Sequence, residues 1–173
     1  TQSYIYDSSA NGDAGFLMTK QNNVINIFDC FFNNSRSVLD AGLIKAQKFN
    51  NITLISLVIK IMTSLQNGGV FFLDTSNIFY LINSSISFSS AIKGGIFSIS
   101  FSNVLVTQNS NLTNGMGNFQ GGGFWANTNN SIIFNGCNFM NISNAIGDGG
   151  LFYLSYNNSL TISNCSIQGL RTE

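Results

Sequence analysis

The chain contains no histidine and no proline, and only three of its 173 residues are cysteine. Without histidine, the Ser-His-Asp and Cys-His nucleophile arrangements are excluded, as are the usual transition-metal sites. Charged residues make up only 8% of the chain, against roughly a quarter in ordinary globular proteins. Its polar surface must therefore come mainly from asparagine and serine.

The few charges also cancel, since seven basic residues stand against seven acidic ones. A chain without a basic patch lacks the electrostatic footprint of a nucleic-acid or anionic-membrane binder. The sequence shows neither a signal-peptide pattern nor an uncharged apolar run long enough to span a bilayer. The apolar-rich stretch 52–65 contains Lys60 and favours two short strands. We expect no nucleic-acid partner and no membrane insertion within this window.

What the chain does contain is a repeat, marked by a glycine followed by two apolar residues. Successive glycines are separated by 27, 27, 26, 28 and 27 residues. A fixed period in the range of about 20 to 50 residues is typical of architectures in which each unit buries its apolar face against its neighbours. The six triplets are Gly15-Phe16-Leu17, Gly42-Leu43-Ile44, Gly69-Val70-Phe71, Gly95-Ile96-Phe97, Gly123-Phe124-Trp125 and Gly150-Leu151-Phe152.

Two further columns recur at fixed offsets within the unit. Each unit has an asparagine, and seven residues later comes a small, sulfur-bearing or apolar residue. The asparagine column is Asn23, Asn50, Asn77, Asn103, Asn130 and Asn158. The later column is Cys30, Leu57, Ser84, Ser110, Cys137 and Cys165.

Apolar residues around these columns alternate with polar ones, with one slip of parity in each unit. Alternation with period two indicates strands, and a parity slip indicates a corner. Each unit therefore predicts three short strands joined by tight corners. The fold class is all-β, a right-handed parallel β-helix (β-solenoid) of about six coils of roughly 27 residues. At about 4.8 Å per coil, the rod would be roughly 30 Å long.

We expect residues 1–173 to form a single solenoid domain. Its coils start near residues 15, 42, 69, 95, 123 and 150, and residues 1–14 form a partial coil. Because the chain starts within a repeat and neither end offers a capping helix, we interpret it as a window of a longer chain or of a filament. The end faces would be covered by further coils of the same chain or by copies stacked head to tail.

The asparagine column predicts a ladder along one corner. Identical amides above and below one another can each donate and accept, as in the asparagine stacks of cross-β assemblies. The simpler interpretation is that these residues are turn formers that tolerate left-handed backbone. Both interpretations are compatible.

Asp13 and Asp40 lie two residues before the glycine column, on adjacent coils. Two carboxylates in this relation can share a calcium ion. They can equally form turns leading into the glycine. Because Lys93 interrupts the same column, we expect no metal or other cofactor, and keep calcium at Asp13 and Asp40 only as an alternative.

The unit resembles the right-handed parallel β-helix of the pectin-lyase-like superfamily. More narrowly, it resembles the surface-protein repeats of chlamydial polymorphic membrane proteins and of large protist surface proteins. The resemblance rests on a Gly-Gly-apolar motif and on a Cys-x-Phe-x-Asn motif. The first is present as Gly68-Gly69-Val70, Gly94-Gly95-Ile96, Gly122-Gly123-Phe124 and Gly149-Gly150-Leu151, and the second as Cys137-Asn138-Phe139-Met140-Asn141 and Cys30-Phe31-Phe32-Asn33-Asn34.

Enzymes of that superfamily gather carboxylates on an outward strand face, often with calcium and a basic residue. Here Asp7, Asp29, Asp74 and Asp148 are scattered among the coils. General acid–base catalysis needs two titratable groups within reach of one substrate. We therefore expect no catalytic residues and no enzymatic activity.

The cysteines share one column and are predicted to be small buried core residues. Cys137 and Cys165 lie on adjacent coils, at a separation that permits a disulfide bond. Stacked parallel neighbours point the same way, however, which would strain such a bond. A disulfide between them is left open.

Asn-x-Ser/Thr sequons are dense in this chain. In a secreted protein they could carry N-glycans, which would hydrate a rod with few charges. With so much asparagine and serine, several sequons are also expected by chance. The sequons are Asn33, Asn51, Asn83, Asn111, Asn129, Asn141, Asn157 and Asn164, of which Asn33, Asn83, Asn111 and Asn164 are expected to project outward.

The sequence leads to a structural hypothesis, a non-catalytic extracellular or cell-surface rod. The alternative is a carbohydrate-binding or polysaccharide-degrading β-helix, or an adhesin. Phe72, Trp125 and Tyr153 could form an outward stripe for lateral packing or sugar stacking, although we expect most of the apolar residues after each glycine to pack in the core.

Overall fold

The alternating segments form three parallel sheets, as seen in a computed structural model that describes residues 3–172. No helix occurs in that range. The sheets wind into a parallel β-solenoid of about six coils with three strands each, so the predicted fold class is confirmed.

Sheet 1 follows the glycines and sheet 2 follows the asparagine column. Each has six strands, and every strand pairs only with its counterparts one coil away. Sheet 1 consists of β3 (Leu17–Gln21), β6 (Ile44–Lys48), β9 (Phe71–Thr75), β12 (Phe97–Phe101), β15 (Phe124–Thr128) and β19 (Phe152–Tyr156). Sheet 2 consists of β4 (Val24–Phe28), β7 (Asn51–Ile55), β10 (Ile78–Ile82), β13 (Val104–Gln108), β16 (Ser131–Asn135) and β20 (Ser159–Ser163).

Sheet 3 follows the cysteine column and has a bend within each coil, so that it consists of two arms. In the middle coils one long strand passes through the bend, and at the ends the two arms are separate strands. Its strands are β1 (Ser3–Tyr6), β2 (Ser9–Ala10), β5 (Cys30–Ser37), β8 (Val58–Ser64), β11 (Ser85–Lys93), β14 (Asn111–Gln120), β17 (Asn138–Met140), β18 (Ser143–Asn144), β21 (Ser166–Gln168) and β22 (Arg171–Thr172).

Left-handed backbone occurs at four positions in each coil, and this explains how the chain turns. The described residues with positive φ, between 48° and 78°, all fall in four columns. One residue from each column, Asn22, Asp29, Asn34 and Ala41, shows the pattern within a single coil. Such a residue reverses the alternation of side chains. The one parity slip found in the sequence is that at the Asp29 column, and the other three were not predicted. The slip at Asn34 lies inside sheet 3 and produces its bend.

The core is a stack of identical layers between the sheets. Phe71, Phe97, Phe124 and Phe152 follow one another on successive coils of sheet 1, with ring centroids 4.7, 5.5 and 5.1 Å apart. The first three of them are fully buried. Towards the last coil the covering is lost, and Ile167 is 44% exposed. Each layer is therefore buried by its neighbours rather than by a central globule.

The glycine column contains Gly122 rather than Gly123. Phe97 pairs with Phe124, which fixes the register of this coil one residue earlier than the sequence pattern suggested. A Cβ added to Gly122 would lie 2.1 Å from the carbonyl oxygen of Gly150, and one added to Gly95 would lie 2.3 Å from that of Gly122. The backbones meet at this column, so only glycine fits there. The fifth full coil therefore starts at residue 122, one residue before Gly123.

Candidate functional site

The asparagine column forms a continuous ladder at the corner between sheets 1 and 2. Each Nδ2 donates to the Oδ1 of the next asparagine, at 3.0, 2.9, 3.0, 3.2 and 2.9 Å along the series. The same Oδ1 also accepts the backbone N–H of the preceding asparagine, at 2.8–3.1 Å. The ladder members are Asn23, Asn50, Asn77, Asn103, Asn130 and Asn158.

The second amide hydrogen of each inner ladder residue binds the end of a sheet 1 strand. Asn103 donates to the carbonyl of Asp74 at 2.9 Å, and Asn130 donates to that of Ser100 at 3.0 Å. Asn50, Asn77, Asn103 and Asn130 are each at most 2% exposed. Buried amides must be fully hydrogen-bonded, and this corner achieves that by repeating one pattern.

A second ladder, not anticipated from the sequence, lies at the corner between sheets 2 and 3. The backbone N–H of Leu57 donates to Oγ of Ser84 at 3.1 Å, and that of Ser84 donates to Oγ of Ser110 at 3.1 Å. The hydroxyl groups donate in turn to carbonyls two residues earlier. The serine and cysteine column is therefore a corner feature as well as a lining of the core.

Cys137 and Cys165 extend this second ladder, and all three cysteines are free thiols. Sγ of Cys165 accepts the backbone N–H of Cys137 at 3.3 Å, so the two residues are adjacent. Their thiols nevertheless point the same way, each towards the carbonyl two residues earlier in its own coil. The disulfide left open between Cys137 and Cys165 is not formed. Cys137 is buried, and burial raises the pKa of its thiol.

Asp13 and Asp40 do lie on adjacent coils, but a lysine lies between them. Nζ of Lys45 is 2.9 Å from Oδ1 of Asp13 and 2.8 Å from Oδ2 of Asp40. Oδ1 of Asp40 accepts a hydrogen bond from Asn67 at 2.8 Å. Burial alone lowers the pKa of Lys45, yet the hydrogen bonds and charges of Asp40 and Asp13 raise it above its ordinary value.

The calcium alternative for Asp13 and Asp40 therefore loses its support, because an ammonium group occupies the position between the carboxylates. Within residues 3–172, no group of three histidine, cysteine or acidic side chains could hold a metal ion. Lys45 was missed because it lies in the next strand, five residues after Asp40, and reaches back across the corner.

Phe72, Trp125 and Tyr153 lie on the outer face of sheet 1, each between two inward-facing residues of its strand. All three are half-buried. Nζ of Lys45 lies 5.1 Å from the centre of the Phe72 ring, and Nζ of Lys93 lies 4.9 Å from that of Trp125. These three residues point outward, as the outward stripe named from the sequence requires, while most of the apolar residues after each glycine, such as Leu43, Val70 and Ile96, pack in the core as expected. The outer face of sheet 1 therefore carries Phe72, Ser98, Trp125 and Tyr153 on successive coils, an aromatic stripe interrupted at Ser98. Lys45 and Lys93 place cations beside two of its rings.

The eight sequon asparagines lie at the surface. Asn33 is half-buried and the other seven are exposed. Asn83, Asn129, Asn141, Asn157 and Asn164 occupy left-handed corner positions. Short polar residues are favoured there because their side chains tolerate positive φ.

No family model matches the chain, and no curated protein matches its sequence. No helix in the described part of the chain is long and apolar enough to cross a membrane.

Proposed function

We propose that this chain is a rod segment of an extracellular structural or cell-surface protein, with no catalytic role of its own. The observation that carries the proposal is the asparagine ladder, which repeats the same hydrogen bonds from Asn23 to Asn158. Repetition of one corner makes a stiff element of constant cross-section, which suits a spacer or stalk.

The end faces support elongation. Asn158 presents a backbone N–H to the next rung, while Oδ1 of Asn23 accepts no hydrogen bond from the described residues. These groups match the donor and acceptor that the ladder joins elsewhere. If a second copy stacked on this end with its ladder in register, however, its β1 and β2 would fall at the position in sheet 3 that β21 and β22 of the first copy already occupy. The two strand pairs would overlap. End-to-end stacking of two copies would therefore require one of these strand pairs to leave that position, whereas solenoid turns without such an overlap could add to the ladder directly.

The proposed rod also carries N-glycans at its surface. A surface with few charges depends on other polar groups for solubility, and glycans at exposed sequons would supply them. Asn83, Asn111, Asn141 and Asn164 are exposed and lie on different coils or different columns. We also propose that the solenoid is right-handed, like those of the pectin-lyase-like superfamily, and that its units are related to polymorphic-membrane-protein-like surface repeats. The Gly-Gly-apolar and Cys-x-Phe-x-Asn motifs support this relationship.

The proposal is tested by electron microscopy of the native particle and by glycopeptide mass spectrometry of the chain from a eukaryotic secretory system. We expect a thin rod of constant width, and glycans on the exposed sequons. A compact globular particle with an enzyme-like cleft, in place of a thin rod, would contradict the proposed rod shape. Unmodified sequons after secretion would contradict glycosylation only.

A carbohydrate-binding role is the second candidate, and the outer face of sheet 1 favours it. Trp125 donates from Nε1 to Oε1 of Gln120 at 3.2 Å, and Lys93 lies over its ring. Aromatic rings beside amide and cationic groups suit sugar recognition. Binding of soluble polysaccharides that is lost in Trp125→Ala but kept in Phe101→Ala would support this role. Cleavage of a polysaccharide would overturn the non-catalytic proposal.

A further inference from the structure

All eight sequons lie on one side of the solenoid. Within each coil they fall between the corner that precedes the asparagine ladder and the bend of sheet 3. Sheet 1, the glycine turn and the second arm of sheet 3 contain no sequon. Those segments make up about half of each coil, so a chance distribution would place several sequons there. We call the side opposite the sequons, which comprises sheet 1, the glycine turn and the second arm of sheet 3, the bare side.

The bare side carries an apolar ridge where the second arm of sheet 3 ends and the chain turns towards the glycine column. In each of five successive coils this segment places at least one large apolar side chain in solvent, at residues 38–39, 65–66, 92, 118–119 and 145–147. Residues 92 and 118–119 lie near the ends of β11 and β14, and the others follow the strands of their coils. The exposure of these apolar side chains ranges from 37% to 73%. The ridge consists of Val38, Leu39, Leu65, Ile92, Phe119 and Ile146. A contiguous exposed apolar surface of this kind marks an interaction site in a soluble protein.

A trough of about 430 Å³ runs directly beside the ridge. It lies over the second arm of sheet 3, where the outward residues are short or polar. Arg36, Thr63, Ser90 and Asn118 line it, and Leu65 and Ile92 form its wall on the ridge side. The bare side thus has a raised apolar strip and a hollow side by side, both parallel to the rod axis.

We propose that the bare side binds a second copy of this chain, with the two rods side by side and parallel. A two-fold axis along the rod direction exchanges left and right but keeps the direction of the rods. The ridge of each copy then faces the trough of the other. A two-fold axis perpendicular to the rods would instead bring ridge against ridge. The geometry therefore selects the parallel pair as the self-complementary one.

The repeat itself favours a second copy over an unrelated partner. Ridge side chains recur at the rung spacing of about 4.8 Å, and only a surface with the same spacing can match them rung by rung. The ridge contains no charged residue, and the formal net charge of the chain is zero. Arg36 is the one charged residue that lines the trough, so each copy brings a single positive charge to the contact.

The proposed pairing rests on the proposed function only through the sequons, because glycans at the sequons would leave the opposite, bare side open to contact with a second copy. The ridge and the trough stand without glycosylation. Because five rungs give a ridge only about 20 Å long, the contact is smaller than a standard interface. We expect a dissociation constant of about 10–100 μM.

The test is sedimentation velocity of the chain over a concentration series up to about 200 μM, first on unglycosylated protein from bacteria. We expect dimerisation that Ile92→Asp weakens at least about ten-fold. Ile78→Asp is the matched control, because Ile78 is 40% exposed on sheet 2 and Ile92 is 41% exposed on the ridge. Wild-type protein that stays monomeric throughout, or equal weakening by both substitutions, would overturn the proposal.

A glycan wedge provides the second variant. Gln120→Thr creates a sequon at Asn118, which is exposed and lines the trough. In protein from a secretory host, a glycan at Asn118 should abolish pairing, while Gln120→Ala should preserve it. Pairing that survives an occupied Asn118 would contradict the proposed contact. Unoccupied native sequons in the same sample would count against the glycosylated rod and not against the pairing.

Discussion

Asn77 donates from Nδ2 to Oδ1 of Asn103 at 3.0 Å, while its own Oδ1 accepts from the backbone N–H and Nδ2 of Asn50 at 3.0 and 2.9 Å. Asn77 is fully buried. The Asn77 side chain thus connects three successive coils, and no other group can take over its hydrogen bonds.

We expect Asn77→Ala to lower the free energy of unfolding by about 3 kcal/mol, because it leaves several buried backbone and amide groups unpaired. Asn23→Ala, at the exposed end of the same ladder, should cost below about 1 kcal/mol. Urea denaturation followed by circular dichroism measures both. Equal losses at the two positions would show that the ladder does not act through burial.

Phe49 holds a left-handed backbone conformation, with φ of 52°, in a column where other coils have asparagine or serine. A bulky residue is strained there, and its side chain is 58% exposed, so little packing is lost on replacement. Phe49→Asn should therefore raise the free energy of unfolding by about 0.5–1 kcal/mol. Phe101→Asn is the control, because Phe101 is 46% exposed but lacks positive φ. A gain in the control as large as in Phe49→Asn would point to solubility rather than backbone strain.

Gly95 has no room for a methyl group. A Cβ there would lie 2.3 Å from the carbonyl oxygen of Gly122 and 2.6 Å from the backbone of Met116. Gly95→Ala should therefore destabilise the fold by about 3 kcal/mol, since backbone atoms must move. Gly12→Ala, with nothing within 4 Å of the added carbon, should change stability little. Thermal melts compare the two variants, and a wild-type melting temperature for Gly95→Ala would refute the close contact.

Lys45 stabilises the fold through Asp13 and Asp40, and this contribution depends on pH. Its folded pKa is raised above the ordinary value of 10.5. The contribution is therefore fully present below about pH 10.5 and is lost as the pH rises through the raised pKa. Lys45→Met should cost about 1 kcal/mol at neutral pH.

The difference in stability between Lys45→Met and wild type should shrink above pH 10.5, where Lys45 loses its charge in the unfolded chain first and in the folded state later. Lys20→Met, at an exposed position, controls for general lysine titration. Urea denaturation at several pH values measures the differences. A gap that is constant up to pH 12 would contradict the role of the ammonium charge.

The three thiols should differ in reactivity. Because burial raises the pKa of Cys137, its thiolate fraction is low at neutral pH. We expect Cys137 to react with iodoacetamide at least about ten-fold more slowly than Cys30 and Cys165 in the folded protein. Alkylation in denaturant without reductant should modify all three residues. Modification of Cys30 alone would reveal a bond between Cys137 and Cys165.

The fold could be predicted from the sequence because a regular repeat implies stacked, equivalent units. Residues such as Asn77 and Asn103 recur at the same position of the repeat, and in a solenoid such residues stack directly on one another. The same reasoning failed by one residue at Gly122, where three consecutive glycines left the register undefined. Only the pairing of Phe97 with Phe124 resolves it.

The one-sided distribution of the sequons is already present in the sequence. The offsets of the eight sequons within the repeat are confined to part of each unit, and comparing them could have revealed one-sidedness. The ridge also has a signal in the sequence, because Val38, Leu65, Ile92, Phe119 and Ile146 recur every 27 residues. Their exposure was harder to predict, because it depends on how the chain turns after the bend of sheet 3.

The sequence by itself determined the period, the number of coils, the strands and the stacking of like residues, since hydrogen bonds between parallel strands force equivalent positions into one line. The tertiary structure alone decided which way each side chain points around the corners. Each left-handed residue reverses the alternation, so four of them per coil place Trp125 outside, Lys45 between two carboxylates, and Ile92 on an exposed ridge. A one-dimensional repeat fixes neighbours along the rod but not directions around it.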